Sequence, residues 1–233
     1  MDAKELPLVS KEVAAEGTMA FRFRKQDLRF QAGQAADFTL TADGKRETHT
    51  FTISSSPDNP DTIMVTTRLR DSPFKNALRR MEPGQTIQVT TPNGDFLLPR
   101  DPATPVVFLA GGIGITPFRS MLRHMAAVGD RRRCVLFYSN PTRAETTFLE
   151  ELEALANELD LKLVVTVTKE EPDGWQTGRI DEAMLRSNLD DDVVRRAVFY
   201  IAGPPKMIAA LRAEVGKLGV PDDRIKSDEF TGY

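Results

Sequence analysis

The chain has 233 residues, a formal net charge of −3, 40% hydrophobic and 28% charged residues, the balance of a globular protein with room for one large domain or two ordinary ones. That charge gives no bulk attraction to nucleic acid or an anionic membrane, and no apolar run approaches the ~20 residues that span a bilayer. Cys134 is the single cysteine and His49 and His124 the only histidines, which excludes an internal disulfide, an iron–sulfur cluster ligated by this chain and a dedicated transition-metal site.

Any redox group is therefore organic or borrowed. The opening Met1-Asp2-Ala3-Lys4-Glu5 lacks the basic start and apolar core of a signal peptide, so the expected location is cytoplasmic.

In chain order, short strands come first. Met19–Arg24 alternates, with Phe21 and Phe23 on either side of Arg22, and Phe38 and Leu40 repeat the pattern before a turn at Asp43-Gly44. His49–Ile53, Thr62–Arg70 and Thr86–Thr91 read as further strands, separated by turns at Pro57–Pro60, Pro83-Gly84 and Pro92–Gly94. Strands at this spacing predict an antiparallel β-barrel. One helix interrupts it: Ser72 suits the N-cap and Pro73 the first turn, with Phe74, Ala77, Leu78 and Met81 on one face.

From about Pro105 the pattern changes. The apolar run Val106–Ala110 leads into Gly111-Gly112-Ile113-Gly114-Ile115-Thr116-Pro117, and then Phe118, Met121, Leu122 and Met125 recur at helical spacing. Val135–Tyr138, Leu163–Val167, Val198–Ile201 and Arg224–Ser227 read as strands; Ala144–Leu159, Asp181–Leu189 and the segment carrying Met207, Ile208, Leu211 and Val215 read as helices. Such alternation predicts a doubly wound parallel sheet. The expected division is 1–102 and 103–233, at a polar stretch holding Pro99, Pro102 and Pro105.

The loop Gly111–Pro117 joins the first strand and helix of the second half, where a doubly wound sheet binds dinucleotides. Gly111, Gly112 and Gly114 let a phosphate approach the backbone, and N–H groups at the helix start meet its charge, with Thr116 suited to the N-cap and Pro117 to the next position. The same glycines also suit a tight turn with no ligand. A second strand–helix turn, Ala202-Gly203-Pro204-Pro205, belongs at the same sheet edge.

With both turns in place, the whole chain resembles the ferredoxin–NADP⁺ reductase family: a flavin-binding antiparallel barrel followed by a nicotinamide-binding α/β domain. Gly33-Gln34 and Phe51-Thr52-Ile53-Ser54-Ser55-Ser56-Pro57 support the match. The family's flavin motif, Arg-x-Tyr-Ser/Thr, corresponds here to His49-Thr50-Phe51-Thr52. The resemblance implies that Phe51 lies against the flavin ring and that Thr52 is the catalytic hydroxyl near its reactive nitrogen. His49 stands where an arginine usually meets the pyrophosphate, without its fixed charge or fork.

Ser72, Phe74 and Lys75 match the family's second flavin contact, and Thr66, Thr67 and Arg68 are further ring or phosphate candidates. Ala202-Gly203-Pro204 stands for the family's Cys-Gly-x-Pro, with the thiol lost. Tyr233 is the first choice, and Phe230 the second, for the terminal aromatic that covers the flavin. After the second strand of the α/β half, Asn140 and Arg143 precede any acid before Glu145, which leans toward NADPH over NADH. The cofactors implied are FAD in preference to FMN, and NADPH or NADH. The acceptor is expected to be a separate molecule: a ferredoxin, flavodoxin, haem protein, free flavin or oxygenase component. A flavin reductase using free flavin and a non-catalytic nucleotide-sensing module stand as alternatives.

Overall fold

A computed structural model describes residues 3–230, and two six-stranded sheets divide them. The first contains β1 (Ala3–Ala15), β2 (Thr18–Arg24), β3 (Ala35–Ala42), β4 (Lys45–Thr52), β5 (Thr62–Arg68) and β6 (Thr86–Thr90), all paired antiparallel in the order β4-β3-β6-β1-β2-β5. A bridge between Ile53 and Val65 brings the two outer strands together, which curls the sheet into the expected barrel. Its alternating inward residues, among them Leu6, Phe21, Phe23, Phe38, Ile63 and Val89, form one core with Phe74 and Leu78 of α1 (Pro73–Arg80). Ser72 caps that helix by accepting from the Lys75 N–H, an interaction worth about 1 kcal/mol.

Strand β1 was not expected. It carries Lys4, Glu5, Lys11 and Glu12, and register shifts between Leu8 and Ser10 and between Val13 and Ala15 break the period of two that reveals a strand.

The second sheet is parallel throughout, in the order β10-β9-β8-β7-β11-β12. Its strands are β7 (Val106–Gly111), β8 (Cys134–Asn140), β9 (Leu161–Val167), β10 (Gln176–Thr177), β11 (Val198–Gly203) and β12 (Ile225–Glu229). Helices α2 (Ile115–Val128) and α3 (Leu149–Glu158) cover one face, and α4 (Glu182–Asn188), α5 (Asp191–Arg196) and α6 (Pro205–Lys217) the other. The strand order reverses at β7, which lies between β8 and β11, so the two glycine turns meet at the position where such sheets hold ligands.

Two expectations need correction. Helix α3 starts at Leu149 and not at Ala144, because Phe148 sits in the left-handed region at φ +64 and Thr142 turns the preceding loop back on itself, its hydroxyl accepting from Glu145 N–H. Thr116 is not the cap of α2. A single 3₁₀ turn over Gly112–Gly114, opened by Gly112 at φ +52, starts the helical path earlier, so Gly114 takes the cap position and the Thr116 hydroxyl donates back to the Ile113 carbonyl.

Candidate functional site

Between the sheets lies a cavity of about 420 Å³, and its wall holds most of the residues singled out from the barrel. His49, Thr50, Phe51 and Thr52 of β4, Thr66, Thr67 and Arg68 of β5, and Ser72 and Lys75 at the start of α1 all line it, together with Ile113 and Thr116 from the glycine loop. They converge because β4 and β5 are the strands that meet where the barrel closes, and α1 follows β5 directly. Ile53 and Phe74 point elsewhere, into the barrel core, where both are fully buried. Phe74 still shapes the site, since its ring packs 4.3 Å from the His49 ring.

Burial holds the His49 imidazole below its ordinary pKa of 6.5, with the Glu47 carboxylate opposing the shift and the Lys75 ammonium adding to it. His49 is therefore neutral near pH 7. Positive charge in the cavity comes instead from Arg68, Arg70 and Lys75, and burial followed by the neighbouring Arg70 holds Lys75 below its usual range. A lining of hydroxyls, cations and aromatic rings suits a planar heteroaromatic group with a phosphate tail.

The glycines divide by role. A Cβ on Gly114 would meet the Ala202 carbonyl oxygen at 2.2 Å, and one on Gly111 would meet the Met207 sulfur at 2.1 Å. Gly203 at φ +152 would put its Cβ 3.3 Å from the Gly111 backbone. These three let the two turns pack against each other. Gly112 alone opens toward the crevice, where its nearest neighbour is the Arg68 guanidinium, 3.4 Å from the place a Cβ would take. Pro117 is buried in the first turn of α2, and Ala202 is buried at the end of β11, beside Pro204 at the start of α6.

At the carboxyl end of β8, Asn140 is buried. Arg143, three residues on, is exposed with its guanidinium over the Trp175 ring, 5.3 Å from the centroid. Tyr233 lies outside the described residues. Phe230 lines the cavity, and its N–H donates to the Gly203 carbonyl at 3.1 Å.

Sequence reasoning missed Asp228. Burial raises the pKa of its carboxyl above the ordinary 3.8, and the nearby Thr52 hydroxyl partly offsets the rise. The strand signal of β12 was visible, but that Asp228 comes near Thr52 is a tertiary fact. Also missed were the ties behind the cavity, where Arg119 of α2 donates to the Ser54 carbonyl at 2.6 Å and Ser120 to the Ser55 carbonyl at 2.7 Å. Among the described residues no cluster of three His, Cys, Asp or Glu side chains is placed to hold a metal ion, and no helix is long and apolar enough to cross a membrane.

Residues 5–97 match the oxidoreductase FAD-binding domain and residues 108–213 the oxidoreductase NAD-binding domain. The chain is 27% identical over 208 residues to the reductase component of propane 2-monooxygenase from Mycolicibacterium goodii, covering 87% of this chain and 59% of that protein. It thus spans less than two thirds of that relative. It is 28% identical over 211 residues to ferredoxin–NADP reductase B of Sorangium cellulosum, covering 86% of this chain and 85% of that one. Its fold superimposes on the flavohaem-like FAD/NAD-binding domain of nitric oxide dioxygenase from Vibrio cholerae with a TM-score of 0.89, at 21% identity and 99% coverage of both chains.

Proposed function

Because the chain belongs to the ferredoxin reductase-like family, with an FAD-binding oxidoreductase domain followed by an NAD-binding one, we propose that it takes electrons from NAD(P)H through bound FAD and passes them to a separate acceptor. The observation that carries this reading is the single cavity shared by β4, β5 and α1 of the first domain and the glycine loop of the second. The kinship with an oxygenase reductase component and with a ferredoxin–NADP reductase supports an oxygenase component or a ferredoxin as that acceptor.

Bound flavin supplies two-electron exchange with a nicotinamide and onward release of single electrons. The chain's own residues do the rest. Phe51 and Phe230 would cover the ring, and Thr52 would hold its polar edge, with the hydroxyl oriented by Asp228. Ser72, Lys75 and Arg70 would take the phosphates that His49, being neutral, cannot pair by charge. The glycine loop, open at Gly112, would receive the nicotinamide dinucleotide. Arg143, in an exposed loop close to that edge, favours NADPH as the donor.

The test is the visible absorption of the purified protein with FAD, before and after anaerobic addition of NADPH or NADH. A flavin band that one nucleotide bleaches supports the reading and names the donor. A protein that binds no flavin sinks it. Flavin that binds weakly and exchanges freely marks a reductase of diffusing flavin, the second reading, which the uncharged His49 favours.

A further inference from the structure

Arg68 and Glu145 form an ion pair of 2.9 Å that joins the last residue of β5 to the loop after β8. Both side chains are about four-fifths buried, at 21% and 23% exposure. The pair stands over the glycine loop, since the Arg68 guanidinium lies 3.4 Å from where a Cβ on Gly112 would stand. The Glu145 carboxylate is itself held in place, with one oxygen accepting from the Thr142 hydroxyl at 3.4 Å and its own N–H donating to that hydroxyl at 3.3 Å. A carboxylate and a phosphate present the same oxygen pair to a guanidinium fork.

We propose that Glu145 is an internal stand-in for the dinucleotide pyrophosphate: it holds Arg68 across the glycine loop until the donor's phosphates displace it. This rests on the reading of the crevice as a nicotinamide dinucleotide site. The consequence is specific. An anion that must compete with Glu145 for Arg68 binds more weakly than Arg68 alone would allow, so removing the carboxylate tightens binding. If the pair merely tied the domains together, its loss would loosen the site and weaken binding.

The experiment measures dissociation constants of NADP⁺ and NAD⁺ by calorimetry on the flavin-loaded protein, with inorganic pyrophosphate as a competitor. Glu145→Gln is expected to bind the dinucleotide about tenfold tighter and pyrophosphate tighter as well. Arg68→Met is expected to bind about tenfold more weakly, and adding Glu145→Gln to it changes nothing further. Glu145→Asp, which withdraws the carboxylate by one methylene, gives an intermediate gain and serves if the glutamine variant does not fold. Unchanged or weaker binding by Glu145→Gln, with wild-type binding intact, overturns the stand-in alone. No binding by either wild type or Glu145→Gln overturns the donor-site reading and the stand-in with it.

Discussion

The two sides of the interface between barrel and α/β domain are built differently. At the back, Arg119 is 8% exposed and divides its donors between the Ser54 carbonyl and Glu151, Ser120 bonds the next carbonyl, and His124 meets Asp58 at 2.6 Å. At the front, the Arg68–Glu145 pair is joined by one backbone bond from Glu16 N–H to the Ala144 carbonyl. Side-chain bonds to buried backbone carbonyls have no water to replace them and cannot exchange cheaply. An ion pair at the mouth of a crevice can trade one anion for another. The back therefore fixes the relative position of the domains, and the front is left to the ligands.

The largest test of that division removes the back. Arg119→Met leaves the buried Ser54 carbonyl unpaired and Glu151 with Arg123 as its remaining partner, and is expected to cost about 1–3 kcal/mol in urea unfolding. A cost below about 1 kcal/mol, the range of exposed pairs, would make the two sides alike. Thr52→Val acts at the front: flavin stays bound, while its reduction by NAD(P)H slows by about tenfold to a hundredfold in stopped-flow absorbance, as expected when a reacting group loses its alignment. Loss of flavin instead would assign Thr52 to binding alone.

His49→Arg sharpens the front in the other direction. It supplies a fixed charge and should tighten FAD by about tenfold in fluorescence titration, unless loss of the packing on Phe74 cancels the gain.

The smallest effect is one of pH. Asp228 has its folded-state pKa above 3.8, so the folded protein holds a proton there that the unfolded chain has already released. Its favourable contribution is full below 3.8 and is lost as pH rises toward the folded value. The stability of Asp228→Asn relative to wild type should therefore rise through that window, read as urea midpoints between about pH 3 and about pH 7. A difference that stays flat across this range would remove Asp228 from the buried edge of the site.

Much of this was legible in the sequence because the signals were local. The cap at Ser72, the strands of alternating phenylalanines and both glycine turns follow from neighbours in the chain. The role of each glycine was not, because Gly111 and Gly114 are demanded by Met207 and Ala202, residues far along the sequence. For the same reason Asp228 and Arg119 were invisible: an acid in a short C-terminal strand and an arginine in an amphipathic helix look solvated until the strand and helix are docked. Thr116 misled because a hydroxyl beside a proline is the ordinary cap signal, and only the left-handed Gly112 moves the helix start.

The place of β1 in the barrel bears on how the chain is made. It precedes the other five strands of its sheet in the chain, yet it lies in the interior, between β2 and β6, with Ala3 opposite Thr90. One of its edges can zip to β2 at once; the other stays bare until β6 is synthesised. The α/β sheet waits in the same way, since β7 pairs with β8 at once but leaves its other edge bare until β11 is made. Nascent chains halted before β6, or after β7 and before β11, are therefore the aggregation-prone species.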